Sequence, residues 1–149
     1  LYMKYGADNW YDWCNTNWGT KWDLCEYYGV SKNNVDDDTT TISFGVQSAW
    51  SPPLTAFETF VEQNEDVDVE ILYYEPGCDF MGSWFNGADE CYQCSEDAPR
   101  SDSAFWDSEV GQQLDDAFCI TEKLAEYEAE QMEEVQEWYE DGKKELKLV

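Results

Sequence analysis

Apolar and polar positions alternate with changing period along the chain, and each change marks an element. Trp10, Trp13, Cys14 and Trp18 recur at steps of three and four, one face of a short helix. Asp8 or Asn9 can cap its start and Gly19 can end it in a left-handed conformation. Trp22, Leu24 and Tyr28 then alternate with Lys21, Asp23 and Tyr27, which predicts a strand, and the four indoles of residues 9–23 read as a core element. A polar loop is expected over 31–38. A second strand is expected over 39–48, with Ile42, Phe44 and Val46 on one face.

The period then returns to the helical one. Ser51 is a candidate N-cap and Pro52 and Pro53 suit a first turn, ahead of the apolar face Leu54, Phe57, Phe60 and Val61. Val67, Val69, Ile71 and Tyr73 alternate as a third strand, broken at Glu75-Pro76-Gly77. Asn86-Gly87 predicts a hairpin between 81–85 and 90–93, and Gly111 weakens a helix over 103–119. From 120 to 141 the stripe Ile120, Leu124, Tyr127, Gln131, Val135 and Trp138 predicts one long amphipathic helix, ended by Gly142. Glu122, Glu126, Glu133, Glu137 and Glu140 fall on its opposite face, and Glu128, Glu130, Glu134 and Asp141 widen that face. Lys143 and Lys144 sit where cations suit a helix C-terminus.

Helix, strand, strand, helix, strand is the β-α-β-β-α-β order without its first strand. The expected class is α+β: a ferredoxin-like antiparallel sheet packed against two helices, with an added hairpin and a long acidic C-terminal helix. A bare sheet edge invites association, so residues before Leu1 or a later segment should cover it. At 149 residues the chain reads as one domain, 5–87 forming the core and 88–149 the rest of the hairpin and the helical extension.

Charge changes the picture most. Asp and Glu number 34 against 8 Lys and Arg with no His, a formal net charge of −26. Such a chain repels nucleic acid and anionic membrane and favours cationic partners. A compact chain of this length is roughly 40 Å across, and duplex DNA of that length carries roughly two dozen phosphates. The two therefore match in charge per length.

Enzymatic chemistry finds little foothold. There is no imidazole base, and no Gly-rich loop cradles a phosphate. Asp36, Asp37 and Asp38 lack the spaced pattern of a calcium loop. No export signal and no apolar run of membrane-spanning length is visible, which predicts a cytoplasmic location and reduced thiols. Cys91 and Cys94 form the one compact reactive motif, and Cys78 and Cys119 could complete a four-thiolate zinc site. A second pair at knuckle spacing is missing, so incidental thiols are the simpler reading, with no cofactor and no metal.

Trp10-Tyr11-Asp12-Trp13-Cys14, followed by Asn17-Trp18-Gly19-Thr20-Lys21-Trp22-Asp23, resembles the signature of the YubB-type ferredoxin-like domains of phage and conjugative-plasmid proteins. The segments at 49–54 and 71–75, then Gly77, Phe80 and Gly82, extend the resemblance over roughly residues 5–87. It implies a ferredoxin-like core and a mobile-element origin in a bacterial host, and no catalytic residues carry over. Members usually have a further strand and helix upstream of the Trp-rich helix, which the nine residues before Trp10 are too few to supply.

Charge and resemblance together predict a non-enzymatic nucleic-acid mimic. It would inhibit a host DNA- or RNA-binding defence complex, as anti-CRISPR or anti-restriction proteins do. The expected binding residues are Glu122, Glu126, Glu130, Glu133, Glu134, Glu137, Glu140 and Asp141, together with Asp36, Asp37 and Asp38. The partner expected is a basic nucleic-acid-binding host protein, with no direct binding of nucleic acid or membrane. The alternative is an acidic structural or assembly module, with zinc support as a variant, in which exposed aromatics meet the partner and the acids are passive.

Overall fold

The computed structural model describes residues 4, 6–36 and 38–146, with the backbone alone for 144–146. It is an α+β chain of antiparallel sheets and helices. The elements run α1 (Trp10–Trp18), β1 (Cys25–Asn34), β2 (Thr40–Gln47), α2 (Leu54–Gln63), β3 (Glu70–Glu75), β4 (Phe80–Phe85) and β5 (Ala88–Tyr92). After them come a one-turn α3 (Cys94–Asp97), a 3₁₀ turn at Ala104–Asp107, α4 (Glu109–Phe118) and α5 (Ile120–Leu146). The chain order read from the sequence is present, but the strands pair in two sheets, β1-β2 and β3-β4-β5. Two compact units result, Leu1–Ile71 with Trp84–Ala88, and Leu72–Ser83 with Asp89–Val149.

In the first unit, α1 is bounded by its caps. Asn9 accepts from the Asp12 backbone N–H through its side chain, and Gly19 leaves the helix at φ +80. The turn that follows is held by hydroxyls. Thr20, 1% exposed, donates to the Ala49 carbonyl at 3.0 Å, and Ser51 donates to the Gly19 carbonyl at 2.7 Å. Ser51 is thus spent on this turn and does not cap α2, which starts after Pro53 without a side-chain cap. The indoles are less buried than their spacing predicts: Trp10 is 63% exposed and Trp22 43%, while Trp13 and Trp18 meet edge to face at 5.4 Å. Cys14 is the buried member of the helical face.

β1 starts later than Trp22 and runs on to Asn34, so 31–34 pair with 40–43 where a loop was expected. Two register shifts interrupt it, beside the left-handed residues Glu26 and Gly29. Gly45 lies under the Tyr28 ring, where a β-carbon would collide with it. The third strand is shorter than its alternation predicts. Asn86 bonds the Val69 backbone twice, through its own N–H and its side-chain oxygen, and its amide donates to Asp68. Asn86 and Gly87 both take positive φ, the geometry that a two-residue hairpin turn between β4 and β5 needs.

The second unit holds the core: Met81, Ala98, Leu114 and Ile120, each 3% exposed or less. Leu72, Tyr74, Phe118 and Leu124 pack against it, as do Tyr92, Phe105 and Trp106, which meet in edge-on pairs at 4.9 and 5.2 Å. Ser108 caps α4 by accepting from the Gly111 N–H, and Cys119 ends it at φ +52. Asp115 then joins two helices. Its carboxylate accepts from the Thr121 N–H and hydroxyl, both at 2.7 Å, and so caps the first turn of α5. Gly142 does not end α5, which continues to Leu146. Of the described residues, no helix is long and apolar enough to cross a membrane.

Two outcomes are expected in chemical denaturation. Leu114→Ala should cost about 2–5 kcal/mol, because the buried site leaves a cavity, and Asp115→Ala about 1 kcal/mol for the lost cap. Acid should weaken the fold as well. Asp36, Asp79 and Asp115 are all held below the usual carboxyl value of 3.8. Backbone N–H groups of Asp38 and Thr39 act on Asp36, and the Ser95 hydroxyl and N–H on Asp79; at Asp115 burial pushes up but the Thr121 and Ile120 donors outweigh it. The folded chain therefore binds fewer protons at these sites than the unfolded one. Their stabilisation is present above about pH 4 and is lost as pH falls below it, which a denaturation series from pH 6 to 2.5 reads directly.

Candidate functional site

The predicted binding residues divide between the two units. Asp36 and Asp38 lie in the connection between β1 and β2, both exposed. Asp36 is committed to its own turn, accepting from the N–H groups of Asp38 and Thr39 at 2.9 and 2.7 Å. Asp37 lies outside the described residues. The remaining carboxylates share α5, so the structure gathers the helical set and places Asp36 and Asp38 on the other unit.

α5 changes character along its length. Ile120 is buried and Leu124 partly so, and both pack against the core. From Ala129 to Lys143 every residue is exposed. At about 100° per residue, Glu122, Glu126, Glu130, Glu133, Glu134, Glu137, Glu140 and Asp141 fall in one arc about 120° wide. All of them are exposed. Glu128 does not widen that arc. It points the other way, accepting from the Ser101 N–H at 3.1 Å and the Ser101 hydroxyl at 2.8 Å, with Arg100 at 3.8 Å.

Among the described side chains, two lysines lie by the acidic arc. Lys123 turns back to the Phe118 carbonyl at 2.7 Å. Lys143 pairs with Glu140 at 3.0 Å and lies 4.0 Å from the centre of the Tyr139 ring. Gln136 donates to Glu140 at 3.3 Å. Like charges four apart cost a few tenths of a kcal/mol each on a helix, so this surface is not arranged for helix stability.

The apolar stripe read from the sequence is real as a stripe, but only its first turns are covered. Tyr127, Met132, Val135, Trp138 and Tyr139 are exposed, Trp138 at 78% and Met132 at 74%. Periodicity identifies such an arc and says nothing about whether a neighbour covers it. Met132 and Tyr139 belong to the arc and were missed, although their spacing from Val135 signals them.

The thiols offer little chemistry. All six cysteines are free, and no three metal-ligating side chains come together among the described residues. Burial, with Asp79 next, pushes the Cys94 thiol up to about 11, so it stays protonated at neutral pH. Tyr73 is raised too, first by burial and then by its 2.7 Å hydrogen bond to Asp89.

No family model matches the chain, and no curated protein or solved structure is significantly similar to it. The chain is an acidic α+β protein of antiparallel sheets and helices.

Cys94 should alkylate with iodoacetamide more slowly than an ordinary thiol at pH 8, and faster as pH is raised toward 11. Mass mapping of labelled peptides over time checks this.

Proposed function

We propose that the chain is a non-catalytic binding protein whose carboxylates occupy lysine and arginine sites built for phosphates. It would thereby displace nucleic acid from a basic host complex. The observation that carries this reading is the exposed acidic arc of α5, presented by a chain of net charge −26. Carboxylates spaced along a helix can meet a row of cationic pockets as phosphates do, and the field of the whole chain speeds the encounter. The resemblance to YubB-type domains implies a mobile-element origin, a setting in which an inhibitor of a host defence complex would act in the bacterial cytoplasm. Asp36, Asp37 and Asp38, in the other unit, are proposed as further binding carboxylates.

A second reading has its own observation. Trp10, Trp22, Trp50 and Phe44 are among the exposed large side chains of the first unit. Aromatics so placed can form an assembly surface while the acids keep the chain in solution.

Two measurements separate these readings. The basic complex that co-purifies with the chain from host cells should release bound duplex when the chain is added, with affinity falling steeply as salt rises. Lys at Glu126, Glu133, Glu137 and Glu140 together should weaken that binding about tenfold or more; unchanged affinity would reject the mimic. Melting in 0.05 M and 2 M NaCl should differ modestly for a mimic, whereas a chain folded only at high salt supports the assembly module.

A further inference from the structure

We propose that the exposed apolar arc of α5 is a docking face for a basic amphipathic helix of the partner protein. The inference rests on the cationic partner of the reading above and adds how that partner is held. Tyr127, Met132, Val135, Trp138 and Tyr139 lie within an arc about 140° wide, and each is more than half exposed. A protein helix packs an apolar arc of this kind against a matching one, with anchors at three- and four-residue steps. Val135, Trp138 and Tyr139 have that spacing. Gly142 falls on the same arc with nothing within 4 Å of where its side chain would be, leaving a notch beside Trp138 where a backbone can come close.

Charge chooses the occupant. One edge of the arc is acidic, bordered by Glu130, Glu134 and Asp141; the other is nearly neutral, bordered by Ala125, Ala129 and Gln136. In an antiparallel pair of copies like edges face one another, so Glu134 and Asp141 would meet carboxylates, between two chains of net charge −26. A parallel pair would set the acidic edge against the neutral one, with Lys143 as the described cation near it and already on Glu140. A helix with lysines or arginines flanking an apolar stripe satisfies both the arc and its acidic edge. The four glutamates at 126, 133, 137 and 140 lie on the far side, so the two surfaces can be changed separately.

The test uses the full chain and a dye-labelled synthetic peptide of leucine and lysine at helical spacing, followed by anisotropy in 0.15 M and 1 M NaCl. A peptide of the same charge with serine in place of leucine is the control. The leucine peptide should bind in both salts, and the control only in low salt. Val135→Ser with Trp138→Ser should weaken leucine-peptide binding about tenfold or more without altering the circular dichroism of the chain. Lys at the four far-side glutamates should alter it much less at 1 M salt. Loss of all binding at 1 M salt, equal binding by the Val135→Ser, Trp138→Ser variant, or a wild-type dimer that this variant dissociates would overturn the proposal. None of these outcomes decides the mimic reading, which stands or falls on duplex displacement and the far-side glutamates.

Discussion

A helix covered with glutamates gains little from its own side chains, because their mutual repulsion works against it at every turn. α5 is therefore held from its first turns. Ile120 and Leu124 insert into the Met81–Leu114 cluster, Asp115 caps the amide and hydroxyl of Thr121, and Glu128 ties the Ser101 loop to the helix two turns on. From Ala129 to Lys143 the helix meets solvent all round. The rest of the second unit, its aromatic edge pairs included, builds the platform from which the acidic and apolar arcs are presented.

The first unit follows a different logic. Among the described residues its buried positions other than Trp84 are small, Ala7, Cys14, Thr20, Ala49 and Pro53, and hydroxyl-to-carbonyl bonds hold the turn at Gly19 against the turn at Ala49–Ser51. The Trp84 indole N–H is buried with no partner among the described residues, at a cost normally avoided in a core. Both faces of the β1-β2 ribbon are largely exposed, and two register shifts beside Glu26 and Gly29 interrupt its pairing. Surface apolar groups are thus abundant on both units, and the charge keeps such a chain from associating without selection.

Some local chemistry was legible because it is self-contained, although Gly142 does not end α5 as its type suggests. Asn9 and Gly19 bound α1 because caps act within three residues, and Asn86-Gly87 turns the hairpin because both residues accept positive φ. The candidate carboxylates on α5 were legible for the same reason, since residue spacing alone sets their angle about the axis. Ser51 has the type and place of a cap, but its partner is Gly19, 32 positions away, where no local rule reaches. Val67 and Val69 alternated as a strand, yet Asn86 took the Val69 hydrogen bonds.

The sequence by itself determined the order of the main helices and strands, though not where β1 and β3 begin and end, and the two-faced character of α5, because order and face follow from backbone preference and side-chain period. Only the tertiary structure decided which strands share a sheet and which apolar faces are covered. Both depend on what lies across from a segment, and a periodic pattern records that a face is apolar without recording its neighbour. Trp10, Trp22, Trp84 and Trp138 all lie in or beside helices and strands, and of these only Trp84 is enclosed.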